Sequence, residues 1–138
     1  MNGPSEHLSW SELACKNGTA YPDEFRINGR AEKLARGFEF IRAIYGKPIK
    51  VLSAYRTIAY NIKIGGARNS QHCQGRALDL LPPEGVTIYQ FYSDIRAKVE
   101  EFGINGIGSY KTFVHIDIRP SDRLIAWSGT GMKDSKDV

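Results

Sequence analysis

Two short runs in this chain alternate in a way that leaves little freedom in how they fold. In residues 113–118, Val114, Ile116 and Ile118 take every second position, with Phe113, His115 and Asp117 between them. Successive side chains of a strand point to opposite faces, so the β-branched set turns to a core while His115 and Asp117 share the other face. Residues 77–80 repeat the pattern, Leu78 and Leu80 opposing Ala77 and Asp79. Two strands that each bury their aliphatic side in one sheet lift Asp79 and His115 onto a common surface. His72 lies just ahead of the first strand, between the Gly65-Gly66 pair and Gly75, where the chain can fold over that surface.

Two imidazoles and a carboxylate suit zinc, and three protein ligands with a fourth position left to water is the arrangement of a catalytic site. The reading is therefore a hydrolytic zinc centre held by His72, Asp79 and His115. The plainer alternative makes Asp79 a strand-end carboxylate paired with an arginine and the histidines ordinary buried ones. The chain has only 3 histidines, and two of them fall in sheet-like segments beside an acid. That coincidence brings the metal reading level with the plainer one.

With 138 residues, 41% hydrophobic and 25% charged, the chain reads as one soluble domain able to bury its own core. It spans residues 1–138, with a core over about residues 8–127 and a polar tail at 128–138. Cys15 and Cys73 lack metal-finger spacing, which argues against a disulfide framework and a thiolate zinc site. Cys73 reads as a small buried hydrophobe rather than a ligand or redox thiol. No apolar run reaches the length of a membrane span, and residues 1–7 carry neither the basic nor the apolar part of a secretory signal. Synthesis in the cytoplasm without membrane insertion is expected. The net charge of +4 suits an acidic polymer, but Lys and Arg are spread along the chain with no basic stripe among aromatics. No nucleic-acid partner is expected.

Residues 8–16 read as a helix, with Ser9 as cap and Glu12 as its reciprocal partner. Residues 19–29 read as loop, with Pro22 and the Asn28-Gly29 turn signal. Ala31, Leu34, Ala35, Phe38, Ile41 and Tyr45 give the three-and-four spacing of an amphipathic helix over 30–45, stopped by Gly46 and Pro48. Its other face, including Arg30, Lys33 and Arg36, reads as solvated charge. A β-type run at 49–55 leads to a helical turn and glycine-bearing loop at 57–69. After the break at Pro82-Pro83 and Gly85, Thr87 and Gln90 cap a second helix running to Gly103. Strands at 106–110 and 112–118 form a hairpin, and residues 124–127 pack back on the sheet or wall the cleft. The tail at 132–138 is expected to be disordered.

Several motifs then stand in order: Ser53-Ala54-Tyr55-Arg56-Thr57, Tyr60-Asn61, Gly65-Gly66-Ala67 and Ser70-x-His72-x-x-Gly75-x-Ala77-x-Asp79. Gly106-Ile107-Gly108-x-Tyr110 and Phe113-Val114-His115-Ile116-Asp117-x-Arg119 follow. Together they resemble the zinc D-alanyl-D-alanine peptidase family, which includes wall-processing carboxypeptidases and many phage endolysins and shares its fold with the hedgehog signalling domain. The likeness is nearest to the small single-domain members, in which the Leu8–Gly18 stretch also recurs, and it covers roughly residues 8–127.

The resemblance implies an α+β domain, a small antiparallel sheet with helices packed on one face, and Zn2+ as cofactor. It implies hydrolysis in peptidoglycan, as a D,D-carboxypeptidase, a cross-link endopeptidase or an L-alanyl-D-glutamate endopeptidase. A monomeric phage or prophage endolysin, reaching the wall through holes made by another protein, is the expected setting. Many relatives place an acid three residues before the second ligand histidine, where this chain has Thr112. Asp117 is then the candidate general base, two residues past His115 and roughly 6 to 7 Å along the strand. It could equally orient a ligand imidazole or pair with Arg119. Arg56 offers a planar fork for a substrate carboxylate, the alternative being a salt bridge that holds its loop. Ser70 and Tyr110 are candidates for binding the substrate or the transition-state oxygen. Thr112 also keeps open a second class, an inactive zinc-stabilised module that binds peptidoglycan.

Overall fold

A computed structural model describes residues 2–129. Its helices are α1 (Trp10–Leu13), α2 (Asp23–Ile27), α3 (Arg30–Tyr45), α4 (Ile58–Lys63), α5 (Ile88–Arg96) and α6 (Val99–Phe102), and its strands β1 (Val51–Ser53), β2 (Ala77–Leu80), β3 (Gly106–Ser109), β4 (Val114–Asp117) and β5 (Ile125–Ser128). The strands form one sheet in the order β1-β2-β4-β3-β5. The first three pairings are antiparallel and β5 joins β3 in parallel. The fold is α+β, as the sequence implies. The tail expected to be disordered lies outside the described residues.

Local chemistry fixes most element ends. Ser9 and Glu12 make the reciprocal capping pair, each side chain bonding the other's backbone N–H. The helix stops at Leu13, three residues short of the expected end, because Ala14 is already extended at φ −66°, ψ 154°. The long amphipathic helix runs as read and closes on Gly46 at φ +63°, a left-handed geometry that glycine adopts without steric cost. Two expectations differ. Residues 23–27, read as loop, form a helical turn because Phe25 is buried beside Tyr21 and Tyr55. The helix expected to reach Gly103 breaks at Lys98, whose φ of −123° ends one helix and starts another.

The main core lies on one face of the sheet. Leu78, Leu80, Val114 and Ile116 turn to this side and pack with Leu34, Phe38 and Ile41 of α3 and Phe91 and Ile95 of α5. On the opposite side Tyr110 and Phe113 stack at 4.5 Å between ring centroids, with Leu52, Leu81 and Trp127 against them. The aliphatic and functional faces predicted from alternation are thus separate faces of one sheet.

β3 has a narrower role. Gly106 pairs with Asp117 and Gly108 with His115. A methyl group on Gly106 would overlap the Asp117 carboxylate, and one on Gly108 the Trp127 indole. Both glycines clear room for groups on the functional face. Gly37, inside α3, differs because an added Cβ there meets only ordinary contacts, 3.4 Å from the Phe102 carbonyl oxygen. Gly106→Ala should therefore lower stability by roughly 1–3 kcal/mol through overpacking. Gly37→Ala should be neutral or gain up to about 1 kcal/mol from helix propensity. Urea denaturation measures both, and equal stabilities for the two variants would contradict this packing.

Candidate metal centre

The register between β2 and β4 builds the site. Asp79 stands directly across from His115, and Ala77 across from Asp117. His72 comes from a single 3-10 turn, Gln71–Gln74, that leads into β2. Ser70 starts that turn by accepting from the His72 N–H at 3.1 Å, and Gly75 ends it at φ +66°. The turn is tied to the body of the protein by the Tyr21 hydroxyl donating to the Gly75 carbonyl at 2.8 Å and by the Arg56 N–H donating to the His72 carbonyl at 3.1 Å.

His72, Asp79 and His115 are all buried, and their ligand atoms lie within 4.8 Å of one another. His72 Nδ1 sits 2.6 Å from the Ala54 carbonyl oxygen, which can only accept, so this nitrogen carries the proton. The Nε2 lone pair then faces Asp79 Oδ1 at 3.1 Å and has no hydrogen-bond partner. On the other side His115 Nε2 lies 2.8 Å from Asp117 Oδ2, which as a carboxylate also accepts, leaving Nδ1 aimed at Asp79 Oδ1 at 2.9 Å. Two imidazole nitrogens and a carboxylate oxygen thus converge with their lone pairs towards one point. Such a set is repulsive unless a cation stands among them.

The electrostatics agree. Burial pushes the Asp79 carboxyl up, yet the two imidazoles outweigh it and hold the group at about 2. Burial lowers His72, with Asp79 opposing, so this ring is kept neutral as a ligand must be. Burial also works against a charged His115, but Asp117 and Asp79 prevail and raise its pKa. When no metal is bound, a proton on His115 is the cation that this arrangement draws in. Asp79 Oδ2, buried and without a hydrogen-bond partner, adds a second orphaned acceptor. The residues fit a divalent metal with nitrogen and oxygen ligands.

The remaining sequence candidates fall around this centre. Arg56 is buried, its Nη1 donating to Asn61 Oδ1 at 3.1 Å and its Nη2 lying 3.8 Å from Asp79 Oδ2. Burial lowers its pKa and Asp79 opposes. Ser70 contributes through the cap of the His72 turn. Tyr110 OH accepts from Trp127 Nε1 at 2.7 Å, and the indole lies 5.2 Å from the His115 ring. Residues 124–127 therefore pair with the sheet and also wall the site. Asp117 accepts from His115 and, through both oxygens, from the Arg119 guanidinium at 2.8 and 2.7 Å. Cys73 is half-buried, and burial raises its thiol pKa, which disfavours a thiolate ligand. Reasoning from residues did not assign roles to the Ala54 carbonyl or Asn61. A backbone carbonyl leaves no trace in residue type, and the Arg56–Asn61 contact joins a residue ahead of α4 to one inside it, five positions on.

The family model described as Peptidase M15 matches residues 6–117, a span that contains every residue of the cluster. No curated protein matches the chain.

A carboxylate whose folded pKa is depressed stabilises the fold above its unfolded value, and that contribution is lost as pH falls through the folded one. For Asp79 the window runs from the ordinary 3.8 down to about 2. Chelated protein should lose on the order of 2 kcal/mol across it, and Asp79→Asn should show a smaller loss. Urea denaturation at several acid pH values measures this, and the same acid sensitivity in variant and parent would contradict the assignment.

Proposed function

The chain belongs to the peptidase M15 family of zinc metallopeptidases, and from that premise we propose that it hydrolyses peptide bonds in the stem peptide or cross-link of peptidoglycan. The carrying observation is the convergence of His72 Nε2 and His115 Nδ1 on Asp79 Oδ1, at 3.1 and 2.9 Å. These three residues would hold the metal. The chemistry that zinc supplies when bound is Lewis acidity, which lowers the pKa of a water towards neutrality and polarises a carbonyl.

The protein's own groups then orient and bind. The Ala54 carbonyl fixes the His72 tautomer, and Asp117 does the same for His115 by accepting its Nε2 proton. Of the three roles that the sequence leaves to Asp117, these contacts favour orienting His115 and pairing with Arg119 over accepting a proton from water. Burial raises the Asp117 carboxyl, but Arg119 and His115 hold it far below the usual carboxylate range, which makes it a weak base. Arg56 is assigned to a substrate carboxylate or carbonyl arriving beside Asp79, since its fork lies at that edge of the cluster. Ser70 acts through His72, and Tyr110 through Trp127 on the His115 flank. The motif likeness to small single-domain endolysins supports a phage or prophage setting, with the cell wall as the place of action. No described helix is long and apolar enough to cross a membrane.

Digestion of purified wall by zinc-loaded protein, with new termini identified by mass spectrometry, tests the activity. Released D-alanine, a freed diaminopimelate amine or a freed D-glutamyl amine would each name the bond cut. Binding without new termini would contradict hydrolysis and leave the wall-binding module. For Asp117→Asn, zinc affinity and activity should fall about 10–100-fold, as for other residues that orient a metal ligand, with excess zinc restoring part of the rate. A rate that excess zinc leaves unchanged, together with loss of the acidic limb of the pH profile, would make Asp117 the base instead.

A further inference from the structure

Beyond the sheet end that carries Asp117 lies a cleft of about 690 Å³. One wall is the N-terminal half of α3, contributing Arg30, Lys33 and Arg36, and the other is the entry to β2 and the exit of β4, contributing Arg76 and Arg119. Phe102, Gly103 and Ile118 also line it, and Glu100 and Glu101 are the acids that border it. Five cations against two carboxylates is a concentration of charge that the chain's +4 total does not convey.

The α3 residues recur every third position, forming one stripe roughly 9 Å long at 1.5 Å per residue. Arg119 is paired with Asp117. Among the described residues, Arg30, Lys33, Arg36 and Arg76 have no carboxylate within ion-pair distance. Arg30 instead donates to the Gln74 carbonyl at 2.6 Å and lies over Phe25, and Arg36 lies over Phe40. Arg76 is half-buried, and burial first and the Arg30 charge second push its pKa down, with Asp117 opposing. Like charges held together without a counter-charge cost stability. The sequence reads the α3 charges as plain solvated surface; the fold gathers three of them opposite two arginines from other elements.

We infer that this cleft binds a flexible polymer of repeating phosphodiester groups, of the kind borne by anionic polymers of a cell wall, an assignment that rests on the wall setting proposed above. Guanidinium groups grip phosphate oxygens with paired, charge-assisted hydrogen bonds. Cations brought by separate elements to one cleft suit a ligand charged at successive units. Arg119 touches Asp117, which touches His115, so the site abuts the metal centre and would hold a wall strand close to it. The inference concerns binding alone, and its test needs neither zinc nor hydrolysis.

The test is amide chemical-shift titration of the full chain at low ionic strength with poly(glycerol phosphate), with a carboxylate-bearing stem peptide, and with duplex DNA. Shifts centred on Gly103, Asn105 and Ile118 with poly(glycerol phosphate) are expected. Lys33→Gln/Arg36→Gln should weaken that binding at least about tenfold, the scale of one charge-assisted hydrogen bond. Glu100→Gln/Glu101→Gln should tighten it, an opposite sign that loss of structure cannot produce. Absence of binding by poly(glycerol phosphate), binding that neither variant alters, or tighter binding of the stem peptide or of duplex DNA would overturn the inference.

Discussion

The meeting of two imidazole lone pairs over one carboxylate oxygen is the constraint that the rest of this structure serves. His72 Nε2 and His115 Nδ1 both face Asp79 Oδ1, and all three side chains are buried. Left uncompensated, buried acceptors at such distances cost several kcal/mol. A bound cation turns the same geometry into the most favourable interaction of the site. The fold is therefore committed to a positive charge at this point, a proton when chelated and a metal when loaded.

Placing those atoms requires a sheet whose two faces do different work. A one-residue slip of β4 against β2 would turn His115 and Asp117 to the core and put Val114 and Ile116 on the functional face. The aliphatic core on the far side, filled by α3 and α5, prevents that slip. Around the ligands, each support acts on one atom. The Ala54 carbonyl fixes one imidazole, Asp117 fixes the other, and Arg119 fixes Asp117. Gly106 and Gly108 leave the volume that Asp117 and Trp127 occupy. The motif residues flanking the ligands thus read as the means by which two ring orientations are held.

Much of this was legible in the sequence because alternation is a strict geometric rule. The pairing of Asp79 with His115 on one face follows from the positions of Leu78, Leu80, Val114 and Ile116 alone. Caps at Ser9 and Thr87, and the stop at Gly46, were legible for the same local reason. What escaped depends on contacts distant in sequence. The helical turn at 23–27 exists because Phe25 meets Tyr21 and Tyr55, and β5 is parallel because residues 125–128 return beside β3. The basic cleft was invisible because Arg76 and Arg119 reach α3 only through the fold.

The central claim is that two imidazoles and one carboxylate hold a single zinc ion. Zinc K-edge X-ray absorption on stoichiometrically loaded protein tests it most directly. The account predicts one zinc per chain, two imidazole shells with Zn–N near 2.0–2.1 Å, oxygen for the remaining ligands and no sulfur scatterer. A sulfur shell near 2.3 Å, which would bring in Cys73, or a protein that retains no zinc at neutral pH, would contradict it.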